Sequence, residues 1–429
     1  MSSTATRWKD QSFAIASSNG AAPIHDWFEQ TPEVLARLRA ALLAGSPLNP
    51  QYPVLQAQDL TAKVASLSGY TASDQPLEKL YSQVFSQRRR LLQLAIAAQA
   101  GDMAAFRVAT ENMALQPDVG SFRRILGNLA ERAGDRPNRA AEELFGMFPP
   151  DYGFKPSLPR AAFVQKLRDP VMALVESLGL PTVIPPAEEV WDAKRIAATL
   201  EATVLPPAFD DARVKMRVVI TAKKPRPVAT RKGTMYIPES LMLNGVDAYV
   251  LMVRLRLTVE RWYRGELTGY YIMLNGTVAD LTAGPAILTV VEQVLRSNAN
   301  FYAEEDAYLA CSLAEGIGSE PKSIYEVYAA MVAYYRFVDT QLPTGAAIPR
   351  SIEDRAWSMT WKTFAGTDCK TPGVYAGFGT RALRATVSLW DALMREPRIV
   401  ECFHLGRFDP GFATEVNLLV EAGAIPALR

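Results

Sequence analysis

Two segments near the middle of the chain indicate its fold class: Arg213-Val214-Lys215-Met216-Arg217-Val218-Val219-Ile220 and, after a loop, Thr234-Met235-Tyr236-Ile237-Pro238. In the first segment basic and apolar residues alternate before an apolar run, which predicts a strand. The second segment predicts a short strand that ends at its proline. After Gly245 the apolar residues recur at helical spacing almost to the end of the chain. A small central β element between two helical blocks predicts a mainly α fold of the α+β kind.

The segments on either side of this element suggest three parts. Ser, Thr, Ala and Gly dominate the first residues, and we expect 1–25 to form a flexible tail. An N-terminal helical region is predicted for 26–150, where Phe148-Pro149-Pro150 breaks the helical pattern. Residues 151–429 contain the β element and the later helices, and they are predicted to form the second folded unit.

The composition narrows the possible functions. The 429 residues include 46 basic and 45 acidic side chains, so no overall charge argues for a nucleic-acid or membrane partner. The only histidines, His25 and His404, are few for a zinc or serine hydrolase. Three cysteines without a C-x-x-C pair argue against a disulfide framework and predict a cytoplasmic location. We find no apolar run of signal-peptide or membrane-spanning length in the sequence.

Recognisable signposts occur in the second half of the chain. They are Lys232-Gly233-Thr234-Met235-Tyr236-Ile237-Pro238-Glu239, Phe364-Ala365-Gly366-Thr367-Asp368-Cys369-Lys370-Thr371-Pro372-Gly373-Val374, Leu389-Trp390-Asp391-Ala392-Leu393 and Leu405-Gly406-Arg407-Phe408-Asp409-Pro410. Together they resemble the microtubule-associated tyrosine carboxypeptidase family, whose bacterial members are described as flavohemoglobin-expression-modulating proteins with a QEGLA motif. The resemblance covers 140–429 and, more weakly, 49–53. It implies a helical metallopeptidase fold that removes C-terminal residues, tyrosine among them.

The resemblance also implies a zinc site, with ligands and a base in an H-E-x-x-T-H helix and a glutamate in a later [QE]-E-G-L-A helix. Aligned on Thr258, the two histidine positions hold Arg254 and Val259, and the base position holds Leu255. The third ligand position holds Ala283 if 282–286 match the QEGLA string, while Glu292 and Glu315 are alternative matches. Because Arg, Leu, Val and Ala are not zinc ligands, we predict a lost metal site and no cofactor.

These losses predict a pseudoenzyme that binds a peptide, a protein or a small anionic ligand in the former cleft, with a homo- or heterodimer possible. The candidate polar groups of that cleft are Arg256, Thr258, Glu260, Glu292, Thr367, Asp368 and Lys370. An alternative is an enzyme that reuses the cleft for metal-free chemistry on a carboxylate, amino-acid or peptide substrate. Arg254 and Arg256 either bind an anion or are ordinary charged positions of an amphipathic helix.

A basic patch is the remaining candidate surface. Residues 213–232 contain eight basic and no acidic side chains, and the proposed patch comprises Arg217, Lys223, Lys224 and Arg226. Such a run suits an acidic peptide or a nucleic-acid backbone, or it simply protects an exposed hairpin edge from aggregation. Interleaved aromatic residues are absent, which argues against a nucleic-acid partner.

Two further features have simple structural interpretations. The acidic run Glu304-Glu305-Asp306 is predicted to open a helix, where negative charge favours the helix dipole. His404 is expected to be a histidine with satisfied hydrogen bonds. Neither interpretation requires catalysis.

Overall fold

Helices dominate the computed structural model, whose described residues are 68% helical and 6% strand, so the predicted mainly α fold with a small β element is confirmed. The predicted tail, 1–25, lies outside the described residues. The structure describes residues 28, 30–50, 52, 62, 76–113, 116–134, 138–148, 160–204, 217–223, 227–229, 233–268, 278–297, 304–341, 351–406 and 413–421.

The described helices before the sheet are α1 (Pro32–Leu43), α2 (Pro76–Ala100), α3 (Met103–Asn112), α4 (Val119–Ala133), α5 (Arg139–Phe145) and α6 (Arg160–Ser177). Side-chain caps fix several of their starts. The Asp102 carboxylate accepts the Ala105 N–H at 2.9 Å, and the Asp118 carboxylate accepts the Ser121 N–H at 2.8 Å. These caps satisfy donors that the first helical turn leaves unpaired, so local sequence sets where α3 and α4 begin.

The central region contains β1 (Val190–Asp192), α7 (Ala193–Val204), β2 (Arg217–Thr221), β3 (Val228–Ala229), β4 (Thr234–Pro238) and β5 (Met242–Asn244). Strands β1 and β5 form an antiparallel pair. The sequence does not predict these strands, because each is only three residues long. The other sheet has the order β2-β4-β3.

The expected hairpin between β2 and β4 is wrong. Arg217 pairs with Thr234 and Thr221 with Pro238, so the two strands are parallel. The antiparallel neighbour of β4 is instead β3, where Val228 pairs with Tyr236. The chain between β2 and β4 therefore crosses over rather than turning back, and β2 lies at an edge of the sheet.

The later helices follow the predicted series: α8 (Gly245–Thr268), α9 (Val278–Leu295), α10 (Glu305–Glu315), α11 (Ile324–Thr340), α12 (Ile352–Phe364), α13 (Arg381–Arg395) and α14 (Ala413–Glu421). Helix α9 packs along α13 and α6, and α10 packs against α11 and α12. A capping box between Ser323 and Glu326 starts α11.

A single large apolar cluster includes Leu38 and Phe122 from one side of the predicted boundary at residue 150, and Trp390 and Phe403 from the other. That boundary therefore does not separate two independent hydrophobic cores. A smaller cluster brings Phe28 of the N-terminal region and residues of α2 and α3 against Val374. No helix in the described residues is both long and apolar enough to cross a membrane.

Candidate functional site

The strongest candidate site centres on residues 365–377, which we call the signpost loop because they contain the most specific part of the family resemblance. The loop follows α12 and has positive φ at Gly366, Cys369, Gly373 and Gly377. Cys369 has a φ of 59°, which is uncommon for a residue with a side chain. Backbone strain of this kind persists where the surrounding structure imposes it, and it often accompanies functional sites.

The signpost loop brings together the predicted residues Thr367, Asp368 and Lys370, but it uses most of their polar atoms itself. The Asp368 carboxylate accepts the N–H groups of Lys370 and Thr371, each at 2.9 Å, and the Thr371 hydroxyl at 2.7 Å. Burial acts to raise the pKa of Asp368, yet these hydrogen bonds prevail and lower it. The Thr367 hydroxyl is buried and accepts the Cys369 N–H at 3.1 Å.

Hydrogen bonds and aromatic packing from the N-terminal region hold the signpost loop in place. The Tyr52 hydroxyl donates to the Thr367 carbonyl at 2.9 Å, and the Lys370 ammonium donates to the Asn49 side chain at 2.8 Å. Gly366, at a φ of 88°, leaves room for Phe28 and Phe106, whose rings would lie 3.0 to 3.2 Å from an added Cβ. The weak resemblance at 49–53 thus coincides with residues that hold this loop.

One face of α10 lies beside Tyr375 of the signpost loop, and of its residues only Glu315 was named from the sequence, as an alternative third zinc ligand. Its members recur at helical spacing, Tyr308, Cys311 and Glu315. Burial raises the pKa of Cys311 to about 12, an effect that Glu304 and Glu315 strengthen. At Gly379, just after the loop, an added Cβ would lie 2.7 Å from that of Ala307, so the backbone approaches α10 closely there.

Tyr375 is a buried polar residue of this site, 2% exposed. Its hydroxyl makes no hydrogen bond of ordinary geometry in the described part of the chain, but the Glu315 carboxylate lies close enough to interact with it. Burial raises the pKa of Tyr375, and the proximity of Cys311 and Glu315 raises it further. The arrangement offers a neutral hydroxyl donor next to a carboxylate. Only the position of Tyr375 within the signpost loop could have drawn attention to it from the sequence.

The predicted former zinc positions do not form one cluster. Arg254 is half exposed and pairs with Glu292 at 3.0 Å, while Glu292 also pairs with Arg296 at 2.8 Å. Leu255 and Val259 are buried in the apolar core. Ala283 lies within α9, and only its backbone is described.

These residues do not fit a zinc ion. A guanidinium repels a dication, and aliphatic side chains carry no donor atom. Among the described residues, no group of three His, Cys, Asp or Glu side chains is arranged to hold a metal ion.

Among the remaining predicted cleft groups on α8, Thr258 lies on the same face as Arg254, one turn later, whereas Arg256 and Glu260 lie on another face. Arg256 is 2% exposed and pairs with Glu260 at 2.6 Å, and Glu260 also pairs with Arg264 at 2.7 Å. The Thr258 hydroxyl donates to the Arg254 carbonyl at 2.7 Å. The predicted cleft residues therefore separate into the signpost loop, an ion-pair cluster between α8 and α9, and a buried ion-pair cluster on α8.

Arg254 is expected to contribute little to stability. Replacing it with glutamine should lower the free energy of unfolding by less than about 1 kcal/mol, because the pair is partly exposed and Glu292 keeps Arg296. Glu292→Gln is the matched variant, and it should cost more because it leaves two arginines without their shared carboxylate. Urea denaturation measures both. An equal or larger loss for Arg254→Gln would contradict this structural interpretation.

Half of the predicted basic patch lies within the described chain. Arg217 and Lys223 are exposed at the two ends of the β2 region. The Arg217 side chain donates to the Thr234 hydroxyl at 2.9 Å. Lys224 and Arg226 lie outside the described residues.

No family model, curated protein or solved structure matches the chain. The resemblance to the tyrosine carboxypeptidase family therefore rests on the signpost residues and stays a prediction.

Proposed function

We propose that the chain is a non-catalytic relative of zinc carboxypeptidases that binds a peptide or small anionic ligand at the signpost loop and the adjoining face of α10. The observation that carries this proposal is the buried Tyr375 hydroxyl beside the side chains of Cys311 and Glu315, where the loop meets α10. Burial raises the pKa of Cys311 and of Cys369 to about 12, and that of Tyr375 is raised as well. A thiol or phenol held neutral at physiological pH is a poor nucleophile or base.

The same groups support binding. Tyr375 offers a hydroxyl donor that makes no hydrogen bond of ordinary geometry in the described chain, with the Glu315 carboxylate as a competing acceptor. A ligand carboxylate or carbonyl that accepts this donor would satisfy a buried polar group, which is worth about 1 to 3 kcal/mol. The Arg107 guanidinium lies 4.0 Å from the Glu315 carboxylate at the same end of α10 and brings a positive charge to the site. The proposed ligand is therefore one with a carboxylate or a peptide carbonyl.

The proposal is tested with a synthetic peptide that ends in tyrosine, the residue that the family resemblance implies. We expect the purified, untagged chain to contain substoichiometric zinc by elemental mass spectrometry and to release no tyrosine above background. The same peptide should raise the melting temperature, since a ligand at 100 times its Kd adds about 2.7 kcal/mol of stability. Tyr375→Phe should abolish this increase while the free variant stays folded.

Tyr325→Phe is the matched control, because the Tyr325 hydroxyl donates to the Ser46 carbonyl at 2.6 Å and Tyr325 belongs neither to the signpost loop nor to α10. It should leave the peptide-induced shift unchanged. Tyrosine release that a chelator abolishes would overturn the proposal in favour of a zinc peptidase. Release that resists the chelator and requires Tyr375 would instead establish a metal-free enzyme. Absence of any stabilisation by the peptide would contradict the proposed binding.

A further inference from the structure

The outer edge of β2 is a second candidate interaction surface, separate from the signpost loop. The Arg217 N–H donates to the Gly233 carbonyl at 3.1 Å, and the Glu239 N–H donates to the Thr221 carbonyl at 3.2 Å. In a parallel pair, alternate residues direct both backbone groups to the same neighbour. Arg217, Val219 and Thr221 therefore face β4, and the backbone groups of Val218 and Ile220 point away from the sheet.

These outward groups have no hydrogen-bond partner among the strands, since β2 pairs only with β4 in the described sheet. The Ile220 side chain is 39% exposed. Helix α7 packs against β2, but it supplies no strand to the edge. The edge therefore presents two N–H and two C=O groups in the geometry that an added strand requires.

The positive charge around β2 favours an acidic partner over a second copy of the chain. Arg217 and Lys223 flank the edge, and the sequence from 213 to 232 contains eight basic and no acidic residues. A second copy of this chain paired strand to strand would bring like charges together, which is destabilising. An extended segment rich in Asp or Glu would instead place opposite charges at both ends of the edge.

We propose that β2 binds an extended acidic segment of a partner protein as an additional strand. Main-chain hydrogen bonds to Val218 and Ile220 would hold the segment, and Arg217 and Lys223 would favour its acidic side chains. This surface does not depend on the proposed function of the signpost loop.

The test uses a fluorescent synthetic peptide that alternates glutamate and valine, and binding to the full chain is followed by anisotropy. We expect saturable binding that weakens with added salt. Ile220→Pro should weaken it about tenfold or more, because proline removes an outward N–H without breaking a bond to β4. Ile220→Thr is the matched control, since it loses the same apolar side chain but keeps the N–H, and it should bind within about threefold of the parent.

Two further probes distinguish backbone pairing from charge alone. The same peptide N-methylated at alternate residues keeps its charge but cannot pair as a strand, and we expect it not to bind. A single-stranded oligonucleotide of equal charge should not compete. Equal binding of the methylated peptide, or no effect of Ile220→Pro, would overturn the proposal and leave the basic residues as protection of a sheet edge. Binding of the oligonucleotide in place of the peptide, or dimerisation through β2, would also overturn it.

Discussion

Replacing Glu305 with alanine is expected to lower the free energy of unfolding by about 3 kcal/mol or more. Glu305 is 5% exposed at the start of α10. Its carboxylate accepts hydrogen bonds from Asn128 at 2.9 Å, Arg132 at 2.9 Å and Tyr334 at 3.0 Å. Alanine would leave these three donors from α4 and α11 without their shared acceptor, and an arginine without its counter-charge. Denaturant unfolding with fluorescence detection measures the loss.

The neighbouring Glu304 supplies the control. Its side chain is exposed and makes no capping hydrogen bond to α10, so Glu304→Ala should change stability by less than about 0.5 kcal/mol. Glu305→Gln keeps the shape and one acceptor oxygen, and should fall between the two alanine variants. If Glu305→Ala were as stable as Glu304→Ala, the buried network would not link α4, α10 and α11 as the structure indicates.

Lowering the pH from 6.5 to 5 is expected to destabilise the chain through His404. This histidine is 1% exposed, and neither ring nitrogen has a hydrogen-bond partner in the described residues. Burial, with a smaller contribution from Arg264, lowers its pKa to about 3. Between the folded and unfolded pKa values the unfolded chain binds more protons, so stability falls as the pH falls. The expected loss is about 2 kcal/mol over this interval.

The His404 contribution is isolated by comparing variants. Denaturant unfolding of His404→Phe should lose this part of the pH dependence, while His25→Gln, which alters the only other histidine in the sequence, should retain it. Should the phenylalanine variant fold poorly, NMR of the parent provides a second measurement, in which the His404 ring signals should not titrate between pH 5 and 8. A His404 pKa near its ordinary value would contradict the buried, neutral imidazole.

Much of the fold follows from local sequence. The change of period at Arg213–Ile220 located the β element, and helical spacing after Gly245 predicted the later helices. Caps such as Asp118 act within one turn, so nearby residues suffice to place a helix start. Thr367, Asp368 and Lys370 lie together because they are neighbours in a tight loop, but the single cleft predicted for them with the polar residues of α8 and α9 is not formed.

The tertiary structure alone decided which polar residues meet. Helical spacing puts Arg254 and Arg256 on different faces, but the packing of α8 determines that Arg254 reaches water and Arg256 is buried. The expected satisfied histidine at 404 is wrong, since neither nitrogen is bonded in the described residues. The acidic run at 304–306 does open a helix, yet Glu305 is buried because its partners come from α4 and α11.

The mainly helical class and the position of the β element could be predicted from the sequence, since each depends on residues within a few turns of one another. The parallel pairing of β2 with β4, the burial of Glu305 and His404, and the proximity of Tyr375 to Cys311 and Glu315 could not. Strand direction and burial depend on contacts between segments far apart in the chain, and a local pattern carries no information about which distant segment will supply the partner.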